Sequence, residues 1–330
     1  MAAGRCGCAS TSFYQGQGGN RAMSALSMHT PAGAVAPVLR GVSQIFFIAD
    51  WRTGLLITAG VAVYNPLAAI FMLLGAAAQE VGAWAMGQDR QTRSEGIAGF
   101  NRALVGVVSW LVAPTIASGV LLAVCGGFAT VVVFQLVERA FSAPALARFG
   151  LPVSTAPFCL LASAMFLLIP TQSAGTGPTS DGGVIEGFGL GVLNGFAEVV
   201  LADGPLTGAL ILAGVALGAP AVAGFGLPGA VIATAAADVV VGIEPASTGL
   251  MTYSGVLTAM ALGAVVPVAS SLKSRVGWAA AGVLVSVALT AALRGDSLPT
   301  FTWPFLFSTW VVQAASAVGR CRRRDGSGTR

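Results

Sequence analysis

From Val105 to Val137 the chain carries no Asp, Glu, Lys or Arg. Uncharged runs of this length are what a membrane crossing requires, since each crossing takes roughly 20 mostly apolar residues. The run, VGVVSWLVAPTIASGVLLAVCGGFATVVVFQLV, does not alternate in polarity. That excludes barrel strands, which are about ten residues long and alternate with every position. The rest of the chain agrees: of 330 residues, 55% are apolar or aromatic and 9% are charged, where a soluble domain carries about 25% charge. The mean hydropathy is +0.81.

With the polar ends set aside, some 280 residues remain, enough for about ten spans. The expected fold is all-α and membrane-integral. Its 44 glycines fit close helix packing, because small residues let backbones approach where lipid supplies no hydrophobic drive. Arg5, Arg21 and Arg40 precede the apolar block, and Arg320, Arg322, Arg323, Arg324 and Arg330 follow it. By the positive-inside rule both ends face the cytoplasm and the number of crossings is even. The terminal arginines read as a juxtamembrane anchor, and no nucleic-acid partner is expected.

Residues 1–38 are expected to form a disordered cytoplasmic tail. They are polar and lack the apolar core of a cleaved signal, and Met23 and Met28 stand as alternative starts. Five cysteines make neither a disulfide framework nor a metal clip: Cys125 and Cys159 lie in apolar runs, and Cys6, Cys8 and Cys321 in flanks facing a reducing compartment. No cofactor is expected. The single His29 lies in the tail, so a histidine proton relay is unavailable.

The chain repeats itself. Thr53 to Val63 reads TGLLITAGVAV and Thr207 to Leu217 reads TGALILAGVAL, eight of eleven positions being identical at an offset of 154. The same offset pairs Pro66 with Pro220 and Gly75 with Gly229, and an offset of 153 pairs Gly96 with Gly249 and Leu104 with Leu257. Leu151 to Phe158 and Leu298 to Phe305 share the pattern LPxxTxPF. The division is then a first transmembrane repeat over 39–175, a loop at 176–187, a second repeat over 188–318 and a basic cytoplasmic tail over 319–330. With an odd number of crossings in each half, the second is inverted relative to the first. Inverted repeats place a pore at their interface, near the bilayer midplane, and build it from short or broken helices.

Three segments carry a resemblance to a known family. Leu39 to Phe47, LRGVSQIFF, resembles the LRGxxQxxF opening of the urea transporter family; Gly99 to Gly106, GFNRALVG, resembles its G-[FY]-N-x-x-L-V-G segment; and LPxxTxPF resembles the motif that closes each of its halves. The resemblance spans about 38–318. It implies a homotrimer in the cell membrane, one pore per protomer, and passive conduction of urea without ATP or a coupled ion. An enzyme is not expected, since no nucleophile-base set or metal-ligand group is visible.

Urea is flat and neutral, with four N–H donors and one carbonyl. An unmatched amide loses several kcal/mol, about 4 to 8, on transfer from water to alkane, so a pore must offer hydrogen-bond partners along a slot with apolar walls. Carried over by the resemblance, Gln44, Phe47, Phe100 and Leu104 line the first half of the pore, and Glu198, Val199, Leu201, Tyr253 and Leu257 the second. The rings of Phe47, Phe100 and Tyr253 are expected against the faces of urea, and Gln44 and Glu198 against its nitrogens. Thr155 and Thr302 are expected near the middle. Pro157 and Pro304 cannot donate, and short helices ending beside them would leave carbonyls as acceptors.

Glu198 stands out, because a carboxylate at mid-membrane costs about 2.5 to 3.5 kcal/mol on insertion scales. Arg102 replaces the small residue usual after the Phe-Asn pair, and Ser254 stands where symmetry with Asn101 calls for Asn. These departures leave open a same-fold pore for a short amide or ammonia. Glu198 and Asp238 also leave open an ion-coupled secondary transporter.

Overall fold

The structure is a computed structural model that describes residues 35–85, 100–169, 183–266, 268–269, 271–294 and 299–326. Most of the tail 1–38, most of the loop 176–187, and Gly96 and Leu298 of the repeated motifs lie outside the described residues, as does the side chain of Cys321. Every regular element among the described residues is helical.

In the first half the order is α1 (Val35–Ser43) with a 3-10 turn (Gln44–Phe46), α2 (Trp51–Tyr64), α3 (Pro66–Ala85), α4 (Phe100–Val112), α5 (Ile116–Phe141), the short α6 (Pro144–Ala147) and α7 (Ala156–Leu168). The second half runs α8 (Val184–Ala197) with a 3-10 turn (Glu198–Val200), α9 (Pro205–Gly218), α10 (Pro220–Val241), the short α11 (Ile243–Ser247), α12 (Tyr253–Met260) with a π turn (Ala261–Val265), α13 (Leu272–Leu293) and α14 (Trp303–Gly326). α14 continues to Gly326, through the arginine cluster expected as a tail.

Among the described residues three helices, α5, α10 and α13, are long and apolar enough to cross a membrane, and five spans result if each of two bent pairs counts as one. The number is below the ten expected because much of the chain forms shorter apolar helices: Pro66–Ala78, Phe100–Val112, Ala156–Leu168 and Tyr253–Val265. Helix lengths alone therefore do not give the count.

The packing has the polarity of a membrane protein. On α5 the buried residues are Gly119, Ala123, Gly126, Gly127, Thr130 and Val131, while Ile116, Leu121, Phe128, Val132 and Leu136 are exposed. Small residues face helices and large aliphatic ones face outward, the arrangement that suits lipid.

Two breaks shape the centre. Val35–Phe46 and Trp51–Tyr64 meet at 77°, and Val184–Val200 and Pro205–Gly218 at 74°. Each first arm ends in a Schellman turn. The N–H of Phe47 donates to the Gln44 carbonyl at 2.9 Å and that of Ile48 to Ser43 at 3.3 Å; Leu201 donates to Glu198 at 3.0 Å and Ala202 to Ala197 at 3.3 Å. The left-handed residue of such a turn is usually glycine, yet here it is Phe47 at φ 63° and Leu201 at φ 58°.

Each second arm restarts by its own device. Asp50 caps α2 by accepting from the N–H of Arg52 at 2.7 Å, whereas Asp203 accepts from the N–H of Gly204 at 2.6 Å and α9 opens on Pro205. The arms fold back closely enough that a Cβ on Gly54 would overlap the Leu39 carbonyl, and one on Gly208 the Leu193 carbonyl. α2 and α9 then cross, tied by the Thr53 hydroxyl donating to the Gly214 carbonyl at 2.8 Å and the Thr207 hydroxyl to the Gly60 carbonyl at 3.1 Å.

Substituting Gly54→Ala or Gly208→Ala is expected to destabilise the protein by about 2 kcal/mol or more, within the range of overpacked cores. Gly224→Ala, where an added Cβ meets nothing within 4 Å, is expected to leave the thermal midpoint in detergent unchanged or raised. Equal midpoints for all three variants would contradict this account of the bends.

Candidate functional site

The duplicated LPxxTxPF motifs meet. Each contains a tight turn, closed by the Ala156 N–H donating to the Val153 carbonyl at 3.1 Å and the Trp303 N–H to the Thr300 carbonyl at 3.2 Å. Each turn has a residue in the left-handed region, Ser154 at φ 46° and Phe301 at φ 41°. The threonine follows directly, and there a helix begins: α7 after Thr155 and α14 after Thr302.

The two hydroxyls bond each other, Thr155 Oγ1 to Thr302 Oγ1 at 2.7 Å, across 147 residues of chain. Cys159 Sγ joins them at 3.0 Å from Thr302 Oγ1. Cys159 was not singled out by sequence reasoning; the signal was its place four residues after Thr155, one helical turn along the same face.

The direction of the chain here differs from expectation. α7 and α14 start at the threonines, so their N–H ends point to this place, and the carbonyls of Thr155 and Thr302 accept from Cys159 and Leu306, both at 3.0 Å. The helix ends that present carbonyls belong to the broken arms ending at Phe46 and Val200. By chain direction those arms offer their last carbonyls beside Phe47 and Leu201.

The other expected pore residues divide into groups. Phe47, Phe100, Leu104, Val199, Tyr253 and Leu257 are buried in one cluster, with Leu201 partly buried against it. The Phe47 ring lies 6.2 Å from that of Phe305, the last residue of the second motif, so it bridges the halves. Gln44 is buried, while its counterpart Glu198 is half-buried.

Side chains clamp the turns. Asn101 Nδ2 donates to the Ser154 carbonyl at 3.0 Å, and Asn101 Oδ1 accepts from the Phe158 N–H at 3.2 Å. Trp310 Nε1, from the second half, donates to the Pro152 carbonyl at 2.9 Å. The Tyr253 hydroxyl donates to the Phe301 carbonyl and lies 3.2 Å from Thr300 Oγ1. The rings of Phe158 and Phe166 pack edge-on against Phe301, at 5.5 and 5.4 Å.

Among the described residues no group of three or more His, Cys, Asp or Glu is placed to hold a metal. What the arrangement offers is hydroxyls, helix ends and aromatic rings in an apolar surround. That is a set for orienting a small polar molecule.

The fold and site thus define a helical membrane protein with two broken arms and two helices that start at a shared threonine pair. A profile described as "Urea transporter" matches residues 35–317. Among curated proteins, the chain is 24% identical over 304 residues to urea transporter 1 of Rattus norvegicus, covering 82% of this chain and 74% of that one. It is 24% identical over 306 residues to urea transporter 1 of Ovis aries, with the same coverage. The chain belongs to the urea transporter family, whose members are transporters and not enzymes.

Asn101→Ala removes two of the three side-chain clamps on the first turn at once and leaves the Trp310 bond to the Pro152 carbonyl. Leaving a buried donor or acceptor unmatched costs about 1 to 3 kcal/mol, so a clear fall in the thermal midpoint is expected. A midpoint equal to the parent's would show that the clamp carries no stability.

Proposed function

We propose that this protein is a passive urea pore of the cell membrane. Its conduit lies between two inverted repeats, 39–175 and 188–318, of about ten crossings in all. It assembles as a homotrimer with one conduit per protomer, surrounded by membrane lipid, and both ends lie in the cytoplasm. The repeated order of elements, the matched bends and the paired left-handed residues support the two-fold reading.

The observation that carries the proposal is the hydrogen bond between Thr155 and Thr302. A hydroxyl both donates and accepts, so each threonine can exchange its partner for a urea group with little net change in hydrogen bonding. The exchange replaces one satisfied pair by another, which keeps the molecule from being held too tightly to leave. The N-terminal ends of α7 and α14 carry partial positive charge and suit the urea carbonyl oxygen. The carbonyl ends of the broken arms suit its N–H groups.

Positive helix ends at a constriction also raise a barrier to cations. Passive movement of a neutral solute needs no titrating relay. Phe47, Phe100 and Tyr253 narrow the passage to a slot, Leu104, Val199, Leu201 and Leu257 form its apolar walls, and Gln44 and Glu198 meet the amide at the mouths.

Stopped-flow light scattering on proteoliposomes tests this. Urea flux is expected to be fast, saturable and driven by the urea gradient alone, unchanged by sodium, by a proton gradient or by membrane potential, and reduced by thiourea and dimethylurea. Absence of urea flux from folded protein would overturn the substrate and point to a short amide or ammonia. Flux that follows a sodium or proton gradient would replace the pore with an ion-coupled carrier working through Glu198 or Asp238.

A further inference from the structure

The two turns that present Thr155 and Thr302 are held by different side chains. Ser154 and Phe301 occupy the same place in the repeated LPxxTxPF motif, and both have positive φ. The carbonyl of Ser154 accepts from the Asn101 amide at 3.0 Å. The corresponding position in the second half is Ser254, whose buried hydroxyl makes no hydrogen bond to the Phe301 turn. A serine is too short to reach the turn. The Phe301 carbonyl accepts instead from the hydroxyl of the neighbouring residue, Tyr253.

We propose that the Tyr253 hydroxyl is a positioning group, which fixes the Phe301 turn and so the Thr302 hydroxyl in the second half, as the Asn101 amide fixes the Ser154 turn and Thr155 in the first. The clamp has moved by one residue along the helix, from the second residue of α4 to the first of α12. A left-handed residue other than glycine costs roughly 1 to 2 kcal/mol and persists only where its surroundings over-determine it. Each turn therefore needs a tether, and a bare carbonyl in an apolar site needs a donor. Phe100, the counterpart of Tyr253, has no hydroxyl and needs none, because Asn101 already supplies the donor. The departure of Ser254 from symmetry is offset by the departure of Tyr253 from phenylalanine.

The inference deepens the urea-pore reading and rests on it, since Thr302 matters as a pore hydroxyl only there. It is tested with three full-length proteins: the parent, Tyr253→Phe, and Tyr253→Phe combined with Ser254→Asn. Urea flux in proteoliposomes and the thermal midpoint in detergent are both read. Tyr253→Phe is expected to lower flux by about ten-fold and to lower the midpoint. Adding Ser254→Asn, which puts the first half's clamp into the second, is expected to restore at least half of each loss.

Parent-like flux in Tyr253→Phe overturns the proposal. So does a flux loss that Ser254→Asn leaves untouched, which would place the hydroxyl against the solute instead of the turn. If Tyr253→Phe does not fold, a folded and conducting double variant supports the proposal and an unfolded one overturns it. No urea flux from the parent marks failure of the substrate reading, and the midpoints of the variants then decide the clamp on their own.

Discussion

A helix that stops inside hydrocarbon leaves its terminal backbone groups without water, and each must find a partner in the protein. Two apolar helix pairs of this chain are broken at sharp bends, and the backbone ends there are partnered one by one. The broken arms close their ends with Schellman turns at Phe47 and Leu201. The turns before α7 and α14 are tethered by Asn101, Trp310 and Tyr253. The π turn Ala261–Val265 frees the Gly263 carbonyl, and the Arg275 guanidinium takes it. Broken helices are thus made affordable by specific donors placed one at a time.

The arrangement stores strain where it is useful. The four residues other than glycine with positive φ among the described residues are Phe47, Ser154, Leu201 and Phe301, and each is either a residue expected in the pore or next to a threonine expected there. Glycine would relieve the backbone at Phe47 or Leu201 but would remove the side chain that the turn aims inward. The glycine-dense crossing of α2 with α9 gives the bends close support.

The helical membrane class was legible from the uncharged run at Val105 to Val137, and the family from LRGVSQIFF, GFNRALVG and the LPxxTxPF pair. The meeting of Thr155 with Thr302 followed the same duplication. The bends were not legible, because a 74° or 77° bend has no hydropathy signal: Gly54 and Gly208 mark them only through the carbonyls they approach. Nor were the left-handed turns, since Phe47 and Leu201 stand where turn chemistry favours glycine. The exchange of Asn101 for Tyr253 crosses register by one residue, which an alignment of the halves reads as two unrelated substitutions. Which ends of the half-helices face the threonines depends on chain direction at the turn, and apolar composition is blind to direction.

The most direct test of the account is urea flux through Thr155→Val combined with Thr302→Val, beside Thr130→Val as control. Replacing both partners of a buried hydrogen bond by groups of similar shape is close to neutral for stability, and the Thr130 hydroxyl serves only its own helix, at the Gly127 carbonyl. The account predicts a double variant that folds with a parent-like thermal midpoint and loses urea flux by about ten-fold or more, while Thr130→Val conducts as the parent does. Parent-like flux through the folded double variant would contradict it.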